Sequence, residues 1–196
     1  DAFGASLAAL GDLDGDGIGD IAVGASGDDG GANAGGSIWI LFMNSDGTVK
    51  VELEITTGQA GLTEQLFASD GFGSSLTAMG DLDGDTVPDL VASSYADTNG
   101  CNECGTVWSL FMNADGSVKK KVKLGTGIGQ TGFKGPLYGL KPHWGRSLAL
   151  VGDVNLDGLP EFLAGANEDD VSQGAGCSNC GAAFLVFLNE DPLCVP

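Results

Sequence analysis

DLDGDGIGDIAVGA, from Asp12 to Ala25, places carboxylates at Asp12, Asp14, Asp16 and Asp20 and then runs straight into an apolar segment. The chain returns to this arrangement as DLDGDTVPDLVASS (Asp81 to Ser94) and as DVNLDGLPEFLAGA (Asp153 to Ala166), 69 and then 72 residues further on. A step of this length marks a repeat array, in which each copy is one supersecondary unit that leans on its neighbours. Other marks keep the same step. Phe3-Gly4, Phe72-Gly73 and Trp144-Gly145 open the copies. ILFMNSDGTVK (Ile40 to Lys50) recurs as SLFMNADGSVK (Ser109 to Lys119) and, shortened, as VFLNEDP (Val186 to Pro192). The expected units are residues 1–69, 70–141 and 142–196 of a single array.

Each unit reads as four short strands. SLAAL precedes the acidic loop and DIAVGA follows it; GSIWILFM is the third, and a turn at Asn44-Ser45-Asp46-Gly47 leads into VKVELEI. In that last segment Val49, Val51, Leu53 and Ile55 alternate with Lys50, Glu52 and Glu54, the period of a half-buried strand. DIAVGA and GSIWILFM are almost continuously apolar, as inner strands covered on both faces are. The predicted fold is all-β: three four-stranded antiparallel sheets, none able to bury both faces alone, stacked on one another. The third is incomplete, because after VFLN the sequence runs EDPLCVP and supplies no fourth strand. An open edge is expected there.

Composition narrows the partners. Among 196 residues, Lys and Arg total 8 against 27 Asp and Glu, a formal charge of −19, which excludes nucleic acid and points to cations as ligands. The 34 glycines suit a turn-rich β chain, and 42% hydrophobic residues with 18% charged ones exclude disorder. No apolar segment approaches the roughly 20 residues of a membrane span.

Carboxylates at positions 1, 3, 5 and 9 of a nine-residue loop converge on one point if the loop curls, with position 7 adding a backbone carbonyl. Hard oxygens in that number, with glycine allowing the turn, are what Ca²⁺ takes; Mg²⁺ prefers fewer protein ligands and retained water. About three Ca²⁺ sites are expected. The first has Asp12, Asp14, Asp16, Asp20 and the Ile18 carbonyl. The second has Asp81, Asp83, Asp85, Asp89 and the Val87 carbonyl. The third has Asp153, Asn155, Asp157, Glu161 and the Leu159 carbonyl. An EF-hand is excluded, since position 12 of the first loop is Val23, within a strand. A single such loop reads equally well as a metal-free Asx-rich turn; three in register favour the metal. Asn155 and Glu161 depart from the pattern, so the third site is expected to be the weakest.

With these motifs the chain resembles the FG-GAP repeat family, the calcium-bearing blades of the integrin α-subunit β-propeller. Phe3-Gly4 stands for the FG, Gly24-Ala25-Ser26 for the GAP, and DLDGDGIGD for the DxDxDGxxD loop. The second copy has Phe72-Gly73 with Ala92-Ser93-Ser94, and the third Trp144-Gly145 with Gly165-Ala166-Asn167. The resemblance implies propeller-type blades with Ca²⁺ between the first two strands, and an extracellular or cell-surface role in adhesion or structure. Integrin-type propellers close with seven blades and this chain has three, so the expectation is an open array or part of a larger β-propeller. A non-catalytic building block that associates with itself, as an oligomer or filament, is the main expectation. The alternative is a glycan- or protein-binding propeller module of a larger cell-surface receptor.

Several residues stand outside the loops. Cys101 with Cys104 and Cys177 with Cys180 form two CxxC pairs at one repeat position, with Cys194 left over. Redox chemistry lacks its βαβ context and a shared zinc would need two distant loops, so a local disulfide in each pair is favoured. His143, the only histidine, has no nucleophile placed to partner it, and no enzyme activity is expected. Trp39 and Trp108 hold equivalent strand positions, with Phe184 in the third copy, and read as core between sheets. Seven of the eight basic residues lie from Lys119 to Arg146 (Lys119, Lys120, Lys121, Lys123, Lys134, Lys141, Arg146). They are either a solvated strand and loop or a belt that meets the acidic surface of a second copy.

Overall fold

The computed structural model describes residues 1–29, 35–98, 102–125, 142–169 and 180–188, with no helix and eleven strands among them. The strands are β1 (Phe3–Gly11), β2 (Asp20–Ala25), β3 (Ser37–Met43), β4 (Val49–Ile55), β5 (Phe72–Gly80) and β6 (Asp89–Ser94). They continue with β7 (Thr106–Met112), β8 (Val118–Leu124), β9 (Trp144–Gly152), β10 (Glu161–Ala166) and β11 (Ala182–Val186). Three antiparallel sheets result, ordered β1-β2-β3-β4, β5-β6-β7-β8 and β9-β10-β11, each an up-and-down meander in chain order. The all-β fold of stacked propeller-type blades is the one the sequence predicts. Among the described residues the third blade has three strands, and β11 is its edge.

The blades bury their faces on one another. Ala22, Ile38, Ile40, Phe42 and Ile55 of the first blade meet Leu76, Leu90, Ala92, Trp108 and Leu110 of the second in one apolar cluster. The opposite face of the second blade gives Val91, Val107, Phe111, Val122 and Leu124 to a cluster with Trp144, Phe162, Ala164 and Val186 of the third. Sandwiched in this way, β6 and β7 are buried at every residue. The indole of Trp108 packs edge-on to Phe72 at 5.9 Å and donates its N–H to Ser94 Oγ at 3.2 Å.

Position in the stack, more than residue type, decides burial. Phe72 and Trp144 are each 0% exposed, whereas Phe3, at the same place in the first unit, is 58% exposed. Trp39 departs from expectation for this reason. It lies on the far face of the first blade, half-buried and edge-on to Phe3 at 6.3 Å, a face that no sheet among the described residues covers. Trp108 and Phe184 do pack between blades. β4 departs as well: Leu53 and Ile55 turn inward, but Val49 and Val51 extend past the neighbouring sheet and stay exposed.

The opening dipeptides of the second and third units seat each on the one before. Phe72 N–H donates to Gly35 O at 2.9 Å, and Trp144 N–H to Cys104 O at 2.8 Å, just ahead of β3 and β7. The following glycine lets two backbones touch: Gly73 has φ +80°, and a Cβ there would sit 2.4 Å from Ser37 O. His143 completes the second junction. Its Nε2 lies 2.9 Å from Glu103 Oε2 of the second blade and its Nδ1 3.5 Å from Glu168 Oε1 of the third.

Candidate metal centres

Each acidic loop joins the first two strands of its blade, with its ninth residue opening the second strand. That residue is the anchor. Asp20, 2% exposed, accepts the Leu13 N–H through Oδ2 at 2.9 Å and the Met43 N–H of β3 through Oδ1 at 3.0 Å. Asp89 does the same with Leu82 and Met112, at 2.8 and 2.9 Å. One carboxylate therefore fixes the loop to the sheet. Burial pushes the Asp89 carboxyl up to about 6, against the two N–H groups that favour its charge.

The first and fifth residues curl the loop. Asp12 accepts Gly17 N–H at 2.9 Å, and Asp81 accepts the N–H groups of Gly84, Asp85 and Thr86 at 2.7, 3.0 and 2.7 Å. Asp153 accepts those of Asp157 and Gly158 at 3.1 and 2.9 Å. Asp16, Asp85 and Asp157 each accept the N–H two residues on, from Ile18, Val87 and Leu159, at 2.9 Å. The fourth and sixth positions take left-handed backbone in all three loops: Gly15 and Gly17, Gly84 and Thr86, Leu156 and Gly158. Thr86 at φ 74° is β-branched in a region that costs L-residues about 1–2 kcal/mol. Thr86→Gly is expected to raise stability by about 1 kcal/mol in urea denaturation. A loss of stability would show that the loop is not curled in this way.

The curl brings carboxylates together in each loop. One oxygen from each of Asp12, Asp14 and Asp20 lie within 4.8 Å of one another, as do those of Asp81, Asp83 and Asp85, and those of Asp153, Asp157 and Glu161. Asp16 and Asp89 fall outside these groups. Asn155 points its amide at Asp157 Oδ2 (2.8 Å), and its carbonyl accepts Asp157 N–H at 3.0 Å. The carbonyls of Ile18, Val87 and Leu159 stay as proposed ligands.

The third loop tests the fit of a cation. Glu161 is 0% exposed, and its Oε2 accepts Val154 N–H at 2.7 Å. Among the described residues its buried Oε1 has no hydrogen-bond partner, whereas the matching oxygens of Asp20 and Asp89 accept the Met43 and Met112 N–H groups. Buried carboxylate oxygens are normally hydrogen-bonded, paired or metal-bound. The Glu161 side chain shares its cluster with Asp153 and Asp157. Hard oxygens alone make up this donor set, and it fits Ca²⁺, which would neutralise the clustered charge.

Two lysines that the sequence did not single out for the loops complete the first two. Lys50 on β4 sets its ammonium 2.6 Å from Asp14 Oδ2 and 2.5 Å from Asp16 Oδ2. Lys119 on β8 lies 2.7 and 2.6 Å from Asp83 and Asp85. The carboxylates hold both ammonium groups well above the usual lysine range, and the lysines hold Asp16 and Asp85 below theirs. The signal was present in two repeats, hidden by the offset of 36 positions between the lysine and the carboxylate at the loop's third position.

The basic belt is not a free surface. Lys121 meets Thr63 Oγ1 at 2.7 Å, and Lys123 lies 2.6 Å from Asp97 and over the Trp108 ring. Lys120 stacks on Phe111 and Arg146 on Tyr95. With Lys119, five of the seven are engaged within their own chain; Lys134 and Lys141 lie outside the described residues. Cys104 and Cys180 are each disulfide-bonded. Cys101, Cys177 and Cys194 lie outside the described residues, so the pairings Cys101–Cys104 and Cys177–Cys180 stay proposals.

Known proteins carry the same pattern. Residues 3–41, from the opening dipeptide through the acidic loop into β3, match the FG-GAP repeat. Residues 3–41 are an FG-GAP repeat of the integrin α type. A stretch of 96 residues, 49% of the chain, is 41% identical to integrin alpha-7 of Homo sapiens and covers 7% of it. Similarity extends to integrin alpha-5 of Xenopus laevis, 38% over 93 residues, which are 47% of this chain and 8% of that one. It reaches integrin alpha-PS2 of Drosophila melanogaster, 36% over 94 residues, 48% of this chain and 6% of that one. The chain spans less than a tenth of the length of these relatives. The relationship agrees with the extracellular or cell-surface location expected from the sequence.

Proposed function

We propose that these FG-GAP blades belong to a calcium-bound propeller module of a cell-surface receptor, one that binds an extracellular protein or glycan without catalysing a reaction. The observation that carries the calcium part is the convergence of carboxylate oxygens in all three loops, joined in the third by a buried Glu161 whose Oε1 has no hydrogen-bond partner among the described residues. The integrin α relatives support the receptor part. In this reading Ca²⁺ is held by the three loops as a structural ion, which stiffens the β1–β2, β5–β6 and β9–β10 corners.

A second reading, a self-associating structural block, is favoured by one observation. Both ends of the stack present apolar surface: Phe3 and Leu7 at the first blade, Leu163, Leu185 and Phe187 at the third. Further blades or a second copy would cover them. Charge complementarity no longer supports the second copy, because the described cations are engaged at home. Sedimentation velocity with Ca²⁺ over a wide concentration range separates the readings. A monomer that captures an extracellular ligand only when Ca²⁺ is present supports the first. Assemblies that grow with concentration would replace it with the second.

A further inference from the structure

Lys50 and Lys119 occupy the same place in two successive blades, each bridging the carboxylates at the third and fifth positions of its loop. Among the described residues no Lys or Arg pairs with the carboxylates of the third loop, Asp153, Asp157 and Glu161. Arg146 itself lies over the Tyr95 ring, 4.4 Å from its centroid. Among the described residues two loops are thus part-neutralised by lysines, and the third meets none.

The consequence concerns how the loops meet a cation. A dication that takes Asp14 and Asp16, or Asp83 and Asp85, must either turn those oxygens away from an ammonium or sit a few ångströms from it. Both oppose binding, by lost ion pairs in the first case and by like-charge repulsion in the second. At the third loop no ammonium among the described residues has to be displaced, only the neutral Asn155 amide on Asp157 Oδ2, and the buried, unpartnered Glu161 carboxylate oxygen adds uncompensated negative charge beside it. Ligand identity alone ranks that loop last, because Asn155 replaces a carboxylate. The lysines reverse the order.

We propose that Lys50 and Lys119 are tethered counter-cations that compete with Ca²⁺ at the first two loops, leaving the third loop to fill first. This rests on the calcium reading above and deepens it. The ammonium groups also explain how a chain of charge −19 keeps two of its acidic corners closed before the ion arrives.

The test is a competitive chelator titration of the full chain with CaCl₂. Lys50→Met and Lys119→Met together keep the aliphatic stems and remove the charges. Two of the sites should tighten by roughly three- to tenfold while the tightest is unchanged. Lys50→Arg with Lys119→Arg keeps the charge and should keep both weaker affinities. Glu161→Gln should remove the tightest site and leave the two weaker ones. Wild-type binding with affinities unmoved by the methionine variant overturns the competition, as does an arginine variant that tightens like the methionine one. Loss of a weaker site in Glu161→Gln overturns the order of filling. No Ca²⁺ bound by the wild type would instead bring down the calcium reading itself. Melting of each variant in chelator identifies any that fail to fold, and the single variant Lys50→Gln then carries the same comparison at one site.

Discussion

Ca²⁺ at millimolar concentration is expected to raise the melting temperature on the order of 15 °C above that in excess chelator. A site filled at about a hundred times its dissociation constant contributes about 2.7 kcal/mol, and a chain of this size gains about 2–4 °C per kcal/mol. Three such sites reach tens of degrees as an upper bound. The lysines on the first two loops reduce the gain there, since those loops are already part-neutralised in the ion's absence. Most of the difference should therefore come from the third loop. Glu161→Gln isolates it: the variant should melt higher than the wild type in chelator, because an unpartnered buried charge is gone, and lower than it in Ca²⁺. The two melting curves should thus exchange order. Superimposable wild-type curves with and without Ca²⁺ would reject the metal at all three loops.

Gly24→Ala is expected to cost about 3 kcal/mol or more, the largest effect of any single methyl in the first blade. Gly24 has no left-handed backbone to protect, so the reason is space. A Cβ would lie 1.9 Å from Gly73 O and 2.3 Å from Ser6 Oγ. Neither can retreat cheaply, because Ser6 Oγ donates to Gly73 O at 2.7 Å across the two blades, and Gly73 is itself pressed against Ser37 O. The methyl would have to push the first blade off the second. Trp108, buried between them, reports this as a red-shifted emission that precedes global unfolding in urea. Gly19→Ala is the control, since the nearest atom to its Cβ is Gly11 O at 4.0 Å. Equal stability of the two variants would mean that the blades do not meet through Gly24 and Gly73.

Much of this architecture was legible because the sequence states it three times. The strands, their order and the acidic corners follow from local signals, which repetition separates from chance. Burial was less legible. Trp39 and Trp108 have identical places in the repeat and different surroundings, because one faces solvent and the other a blade. The lysines show another limit. Lys119 was read with its sequence neighbours as part of a basic patch, although strand pairing carries it to Asp85, 34 positions earlier in the acidic loop. His143 was read as unremarkable for want of a nucleophile, while its two carboxylate partners come from separate blades. Leu156 and Thr86 keep the left-handed turn without glycine, so composition alone understates how closely the loops agree.

Where one blade seats on the next, much of the contact is made by groups every amino acid has. Gly36 pairs with Phe72 through the main chain, and a Cβ on Gly105 would strike Trp144 O at 2.0 Å. That part of the junction carries little side-chain address and travels with a duplicated unit whenever its glycines and opening aromatic are copied. What is left to match at a new seam is the apolar face each blade buries on its neighbour. Lengthening of such an array by internal gene duplication then asks for co-adaptation in packing alone, and the outward-facing loops are left to diverge one unit at a time.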